Sequence, residues 1–107
     1  MKKVKINEVA SIIKEPFTPL DLFRVNDSAV RLVKINGLYK WHKHTNEDEL
    51  FIVLNGEMSI HFEKEQKVNL KAGEAFLVKK NTLHQSSARN EALVLIVEPQ
   101  NTIAEGD

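Results

Sequence analysis

The chain has 107 residues, 42% of them hydrophobic, with 15 basic side chains set against 15 acidic ones. One domain with a modest core is the natural expectation at this length. The scattered, balanced charge offers no basic stripe of the kind nucleic acid or an anionic membrane would need. The absence of cysteine removes disulfides, thiolate metal sites and cysteine nucleophiles, and it fits a reducing compartment. A cytoplasmic location is expected. The basic start, Met1-Lys2-Lys3, is not followed by the unbroken apolar run of a secretory signal, because Asn7, Glu8, Lys14 and Glu15 interrupt it. No apolar stretch approaches the ~20 residues of a membrane span.

Residues 1–22 read as an N-terminal arm. Val9, Ile12 and Ile13 have helical spacing, and Pro16 and Pro19 stop any helix quickly. Residues 29–35 and 38–44 read as strands around Asn36-Gly37. Thr45-Asn46-Glu47-Asp48 is a polar turn, after which residues 49–54 form a strong strand. Asn55-Gly56 then predicts a type I′ hairpin into residues 57–62, since that turn needs positive φ at both central residues. Lys64-Glu65-Gln66 and Ala72-Gly73 mark further turns, and residues 75–79, 83–88 and 92–98 read as strands closed by Pro99. Strands spaced by roughly 8–12 residues predict an all-β sandwich or barrel. The expected organisation is a single domain over 1–107 with its barrel core at 29–99, and residues 104–107 are expected to be loose.

Two of the four histidines are His42 and His44. On a strand, side chains at i and i+2 share a face, so His-x-His presents two imidazoles side by side. If residues 45–48 close a hairpin, Glu49 lies opposite His44 on the same face, with Cβ atoms about 5 Å apart. Two nitrogens and one oxygen then form a facial triad suited to non-haem iron and related metals. Taken alone, the same three residues are equally compatible with solvated surface side chains.

The surrounding pattern resembles the cupin superfamily. Gly37, four residues, His42-Lys43-His44, four residues, Glu49, six residues and Gly56 are similar to the first cupin motif, with the first spacing one residue short. Gly73, five residues, Lys79, Asn81, His84 and Ala88 are similar to the second. There Lys79 stands for a proline, Asn81 for a glycine and Ala88 for an asparagine. The wording at residues 41–51 and 96–99 looks like that of short cupins described as related to mannose-6-phosphate isomerase. This resemblance implies a small antiparallel β-barrel, a jelly-roll-like double-stranded β-helix. It also implies His42, His44, Glu49 and His84 as ligands of one divalent metal ion. Iron, manganese and nickel suit three nitrogens and one oxygen, and zinc does if the geometry contracts.

Strand parity places Phe51 and Val53 inward with Glu49, and Ser86 shares parity with His84. These three are expected to line a small, largely apolar pocket with the metal as its polar anchor. Tyr39 and Trp41 have the opposite parity to the histidine pair and are expected to pack; His61 matches no ligand position. Leu50, Ile52 and Leu54 point outward and need cover. Either the N-terminal segment, with Phe17, Leu20, Leu22 and Phe23, supplies it, or a two-fold partner chain does. The resemblance favours a homodimer. Two functions are compatible with this pattern. One is a metal-dependent enzyme of dioxygenase or isomerase type acting on a small molecule. The other is a non-catalytic ligand-binding or sensor module.

Overall fold

A computed structural model describes residues 1–107. A short helix α1 (Ile6–Ile12) precedes seven strands: β1 (Leu20–Val25), β2 (Ser28–Leu38), β3 (Glu49–Asn55), β4 (Glu57–Phe62), β5 (Lys67–Lys71), β6 (Ala75–Val78) and β7 (His84–Pro99). All pairings are antiparallel, with the order β1-β2-β7-β3-β6 and with β4 joined to β7 and β5. The all-β barrel expectation holds, as does the short helix in the arm.

Strand β7 organises the barrel. It is sixteen residues long, and Ser87–Ala88 and Ala92–Pro99 pair with β2 along one edge. Along the other edge, Leu93–Val97 pair with β3 and His84–Ser87 with β4. Two strands predicted from the sequence, 83–88 and 92–98, are therefore one. The polar Arg89-Asn90-Glu91, exposed to solvent, lies where the β2 register slips.

This geometry corrects the expected Asn55-Gly56 hairpin. Strands β3 and β4 do not pair with each other; the chain turns a corner between two sections of β7. Only Gly56 has positive φ, at 82°. A Cβ there would meet the Glu91 carbonyl oxygen at 2.9 Å, so glycine is required by close approach as well as by φ. Likewise Asn36-Gly37 is not a turn between strands. It is an irregularity within β2, where the register with β7 slips between Ile35 and Gly37.

Alternation along the strands builds the core. Val33 and Ile35 of β2, Phe51 and Val53 of β3, Met58 and Ile60 of β4, and Val94 and Ile96 of β7 all point inward and are buried. A second cluster lies outside the sheet, where Ile13 and Leu22 bury Leu32, with Val4, Ile6, Val9, Leu93 and Leu95 packed against it. The arm therefore covers the β2–β7 outer face around Leu32, Leu93 and Leu95. It does not reach over Leu50, Ile52 and Leu54 as expected: Phe17 instead packs against the inner core, while Leu20 and Phe23 stay exposed. The end of the chain is also better fixed than expected. The N–H of Asp107 donates to the Lys43 carbonyl at 3.0 Å, and the Thr45 backbone N–H and hydroxyl donate to its carboxylate at 3.0 and 2.7 Å.

Candidate metal centre

Three separate stretches of chain bring His42, His44, Glu49 and His84 together. His42 and His84 exchange two backbone hydrogen bonds of 2.9 Å. Directly opposed residues share a face, and their rings stand 4.4 Å apart between centroids. The hairpin expected to set His44 opposite Glu49 does not exist, because β3 pairs with β6 and β7. His44 is instead held by its carbonyl, which accepts from the N–H of Asn81 at 2.7 Å. Asn81 sits at φ 62°, so the residue replacing the motif glycine takes the left-handed conformation that asparagine tolerates. Lys80 N–H and the Lys79 ammonium both engage Asp48, at 2.8 and 3.7 Å, which ties the two ligand-bearing loops together. Ala88, where the motif has asparagine, is a buried member of the core.

The donor atoms converge. One nitrogen from each histidine and a Glu49 oxygen all lie within 4.8 Å of one another. Bonds of about 2.1 Å would separate such atoms by about 3 to 4 Å, so closing the widest separation by about 1 Å would seat the set on an ion. Tautomers favour the same outcome. His42 Nδ1 donates to the Lys40 carbonyl at 3.0 Å and His84 Nδ1 to the Thr82 carbonyl at 2.8 Å, since a carbonyl can only accept. Each ring then turns a bare Nε2 lone pair inward, the usual support of a metal-ligating histidine. His44 Nε2, His84 Nε2 and Glu49 Oε1 are buried and lack a hydrogen-bond partner, though Glu49 Oε1 lies 3.5 and 3.3 Å from those nitrogens. His44 Nδ1 is buried and unpartnered as well, so a proton on the His44 ring or a cation must relieve the two facing acceptors, His84 Nε2 and Glu49 Oε1. The four side chains fit a divalent metal ion and could hold one.

Ionisation follows from this crowding. Burial works to raise the Glu49 pKa, but the His44 and His84 rings overcome it and hold the carboxyl down at about 2. Burial lowers His42. At His44 the same burial is outweighed by Glu49, and the net shift is upward.

A cavity of about 30 Å³ adjoins the cluster, room for about two water molecules. Phe51 and Ser86 line it together with Phe17, Tyr39, His42, Glu49, Ile96 and Glu98. Val53, which parity also suggested, lies in the core and does not line it. Tyr39 was expected to pack away from the histidines. It lines the cavity, stacked on Phe17 at 4.8 Å and edge-on to His42 at 5.2 Å, because residues 39–41 are not regular strand and parity does not carry through them. Trp41 is exposed. His61 pairs with Gln85, one residue along from His84 and so on the other face of the strand, and it shares a 2.8 Å hydrogen bond with Ser87.

Glu98 is the residue that sequence reasoning passed over. Its inward parity with Val94 and Ile96 was the available signal. The register that pairs Leu50 with Val97 sets Glu98 beside Glu49. Glu98 is 3% exposed, and one of its oxygens pairs with the Arg31 guanidinium. Arg31 in turn is fixed by Asp21 at 2.8 Å and the Gln100 carbonyl at 2.7 Å. Burial, and then the charge of Glu49, push the Glu98 carboxyl up to about 7 despite Arg31.

Comparison with known proteins agrees with the architecture. The cupin domain family profile matches residues 30–98. The chain is 39% identical over 90 residues to "Uncharacterized protein YdbB" of Bacillus subtilis (strain 168), covering 84% of this chain and 80% of that protein. The crystal structure of a cupin-2 domain containing protein from Shewanella frigidimarina superposes with a TM-score of 0.87 at 33% identity, over 91% of this chain and 94% of the other. A hydroquinone 1,2-dioxygenase in complex with Cd2+ and 4-hydroxybenzonitrile shares the fold at a TM-score of 0.77 and 19% identity, over 91% and 72% of the two chains. With its barrel, its paired motifs and these relatives in agreement, the chain belongs to the cupin family.

Proposed function

We propose that this cupin binds one divalent metal ion through His42, His44, Glu49 and His84 and uses it to transform a small molecule. The observation that carries this is the convergence of buried, partnerless ligand atoms on His44, Glu49 and His84. Iron, manganese or nickel would suit the set, and zinc a contracted one. When bound, the ion would polarise a carbonyl or take up dioxygen beside the substrate. The protein's own part is to orient the imidazoles through the Lys40 and Thr82 carbonyls and to keep Glu49 ionised. Phe17, Tyr39 and Phe51 restrict water in the cavity. Oxygenation or isomerisation of a small molecule fits such a site, and the fold shared with a dioxygenase is compatible with the former.

Purified protein should take up about one ion per chain, and its metal spectrum should change as small candidate substrates are added. His42→Ala should abolish turnover while leaving the fold intact. A non-catalytic binding module is favoured by one observation: apart from Glu98 and the phenol of Tyr39, no titratable side chain lines the cavity outside the ligand set. Small-molecule binding without turnover in the metal-loaded wild type would select that alternative.

We also propose a cytoplasmic homodimer. Its support is an uncovered apolar row that runs across five strands, Phe23, Val30, Val97, Leu50 and Leu77, joined pair by pair in the register. Phe23 and Leu77 are 37% and 43% exposed, and a two-fold partner would bury them.

A further inference from the structure

We infer that the cavity beside the histidine–glutamate cluster is a subsite for short α-hydroxycarbonyl compounds, in which Glu98 accepts a hydrogen bond from the ligand's hydroxyl and Ser86 donates one to its carbonyl or carboxylate oxygen. This rests on the metal reading above and names the ligand class it would serve.

The starting point is an unused acceptor. The Glu98 side chain is only 2% exposed. Its Oε2 is taken by Arg31, while its Oε1 is buried and meets no donor, with the Glu49 carboxyl beside the side chain. A buried polar atom left unsatisfied costs on the order of 1–3 kcal/mol, so such an atom lining a cavity marks a place for a donor. Glu98 is also rigid. Arg31 is clamped by Asp21 and by the carbonyls of Gln100 and Thr102, so the carboxylate cannot swing away to solvent. Ser86 is buried on the same cavity wall, and its hydroxyl can donate where Glu98 cannot.

Size and charge narrow the class. The cavity has room for only about two water-sized groups, so it admits only a short ligand. Four protein donors leave an octahedral ion two positions, which adjacent hydroxyl and carbonyl oxygens on one small ligand would fill. The remaining walls, Phe17, Ile35, Phe51 and Ile96, are apolar and suit a short hydrocarbon body. The charge of a bound divalent ion would favour the ionised Glu98, which Arg31 balances, so the ion and the Glu49 carboxylate together leave a single positive charge. That balance accepts a neutral or singly charged ligand. A phosphate or a dicarboxylate would set a second negative charge against Glu98.

The test uses the full chain loaded with cobalt(II) and titrated with glycolate and with methoxyacetate, followed by the visible absorption of the ion. The two probes offer the same carboxylate and α-oxygen, but only glycolate has a hydroxyl proton. Wild-type protein should bind glycolate at least about tenfold more tightly, the worth of one hydrogen bond to a charged acceptor. Glu98→Gln should bring the preference to within about threefold while its cobalt content stays at the wild-type level. Ser86→Ala should weaken both probes together. Equal binding of the two probes by the wild type, or an undiminished preference in Glu98→Gln, would overturn the assignment of Glu98 alone. Failure of the wild type to take up cobalt would overturn the metal reading and this one with it. The wild-type comparison needs no variant, so a Glu98→Gln chain that failed to fold would leave the test standing.

Discussion

His84 shows how one side chain is committed by its neighbours. Its backbone pairs with His42, its Nδ1 is spent on the Thr82 carbonyl, and its Nε2 faces Glu49 Oε1 at 3.3 Å. Nothing in the chain satisfies that nitrogen, so its contribution depends on the ion. His84→Ala should therefore lower metal affinity by at least about 100-fold, beyond the loss typical of a supporting partner, with circular dichroism unchanged. Glu98 makes a prediction of opposite character in the metal-free protein. Its carboxyl pKa is raised from 4.5 to about 7 in the folded state. Between those values the folded chain holds a proton that the unfolded chain has released, so stability falls as pH rises through this window. Glutamine stays neutral throughout. The thermal midpoint of the wild type relative to Glu98→Gln should fall from pH 4.5 to 7 in chelator-treated protein; parallel curves would contradict the account.

At the level of elements, β7 decides the architecture. It serves β2 on one edge and both β3 and β4 on the other, and the corner at Gly56 lets the chain pass from one section to the next. Gly56→Ala must accept both positive φ and a contact of 2.9 Å with the Glu91 carbonyl. Gly37→Ala faces positive φ but open space. Chemical denaturation should show a loss of about 1 kcal/mol for Gly37→Ala and of about 2–4 kcal/mol for Gly56→Ala; equal losses would show that the corner is not tight. The same corner explains what the sequence revealed and what it hid. Period-two alternation placed Glu49, Phe51 and Val53 inward correctly, because it is set by the pleat alone. Asn55-Gly56 marks a place where positive φ is possible, but it does not say which strands become neighbours, and that is a long-range property of β7. Arg89-Asn90-Glu91 looked like a break between strands because a register slip in one strand and a loop between two share the same polar residues. The convergence of His42, His44, Glu49 and His84 was legible through motif spacing, although the local route proposed for His44 was wrong: Asn81 holds it, and β3 does not. Glu98 was hidden because a single acid before a proline looks like a strand end, and only the register reveals that it adjoins Glu49.

At the scale of the whole molecule, the arm covers one half of the outer sheet face and leaves the row from Phe23 to Leu77 open. Sedimentation at micromolar concentration should show a dimer, and Leu77→Lys should shift it to monomer without loss of bound metal. A monomer in the wild type would remove the dimer and leave the site untouched. The central claim concerns the ion itself, and it is tested most directly by elemental analysis of protein purified without chelator and without a nickel column. The account predicts about one divalent ion per wild-type chain and almost none in His84→Ala. A folded wild-type protein that carries no such ion and takes none up when offered iron, manganese, nickel or zinc would contradict it.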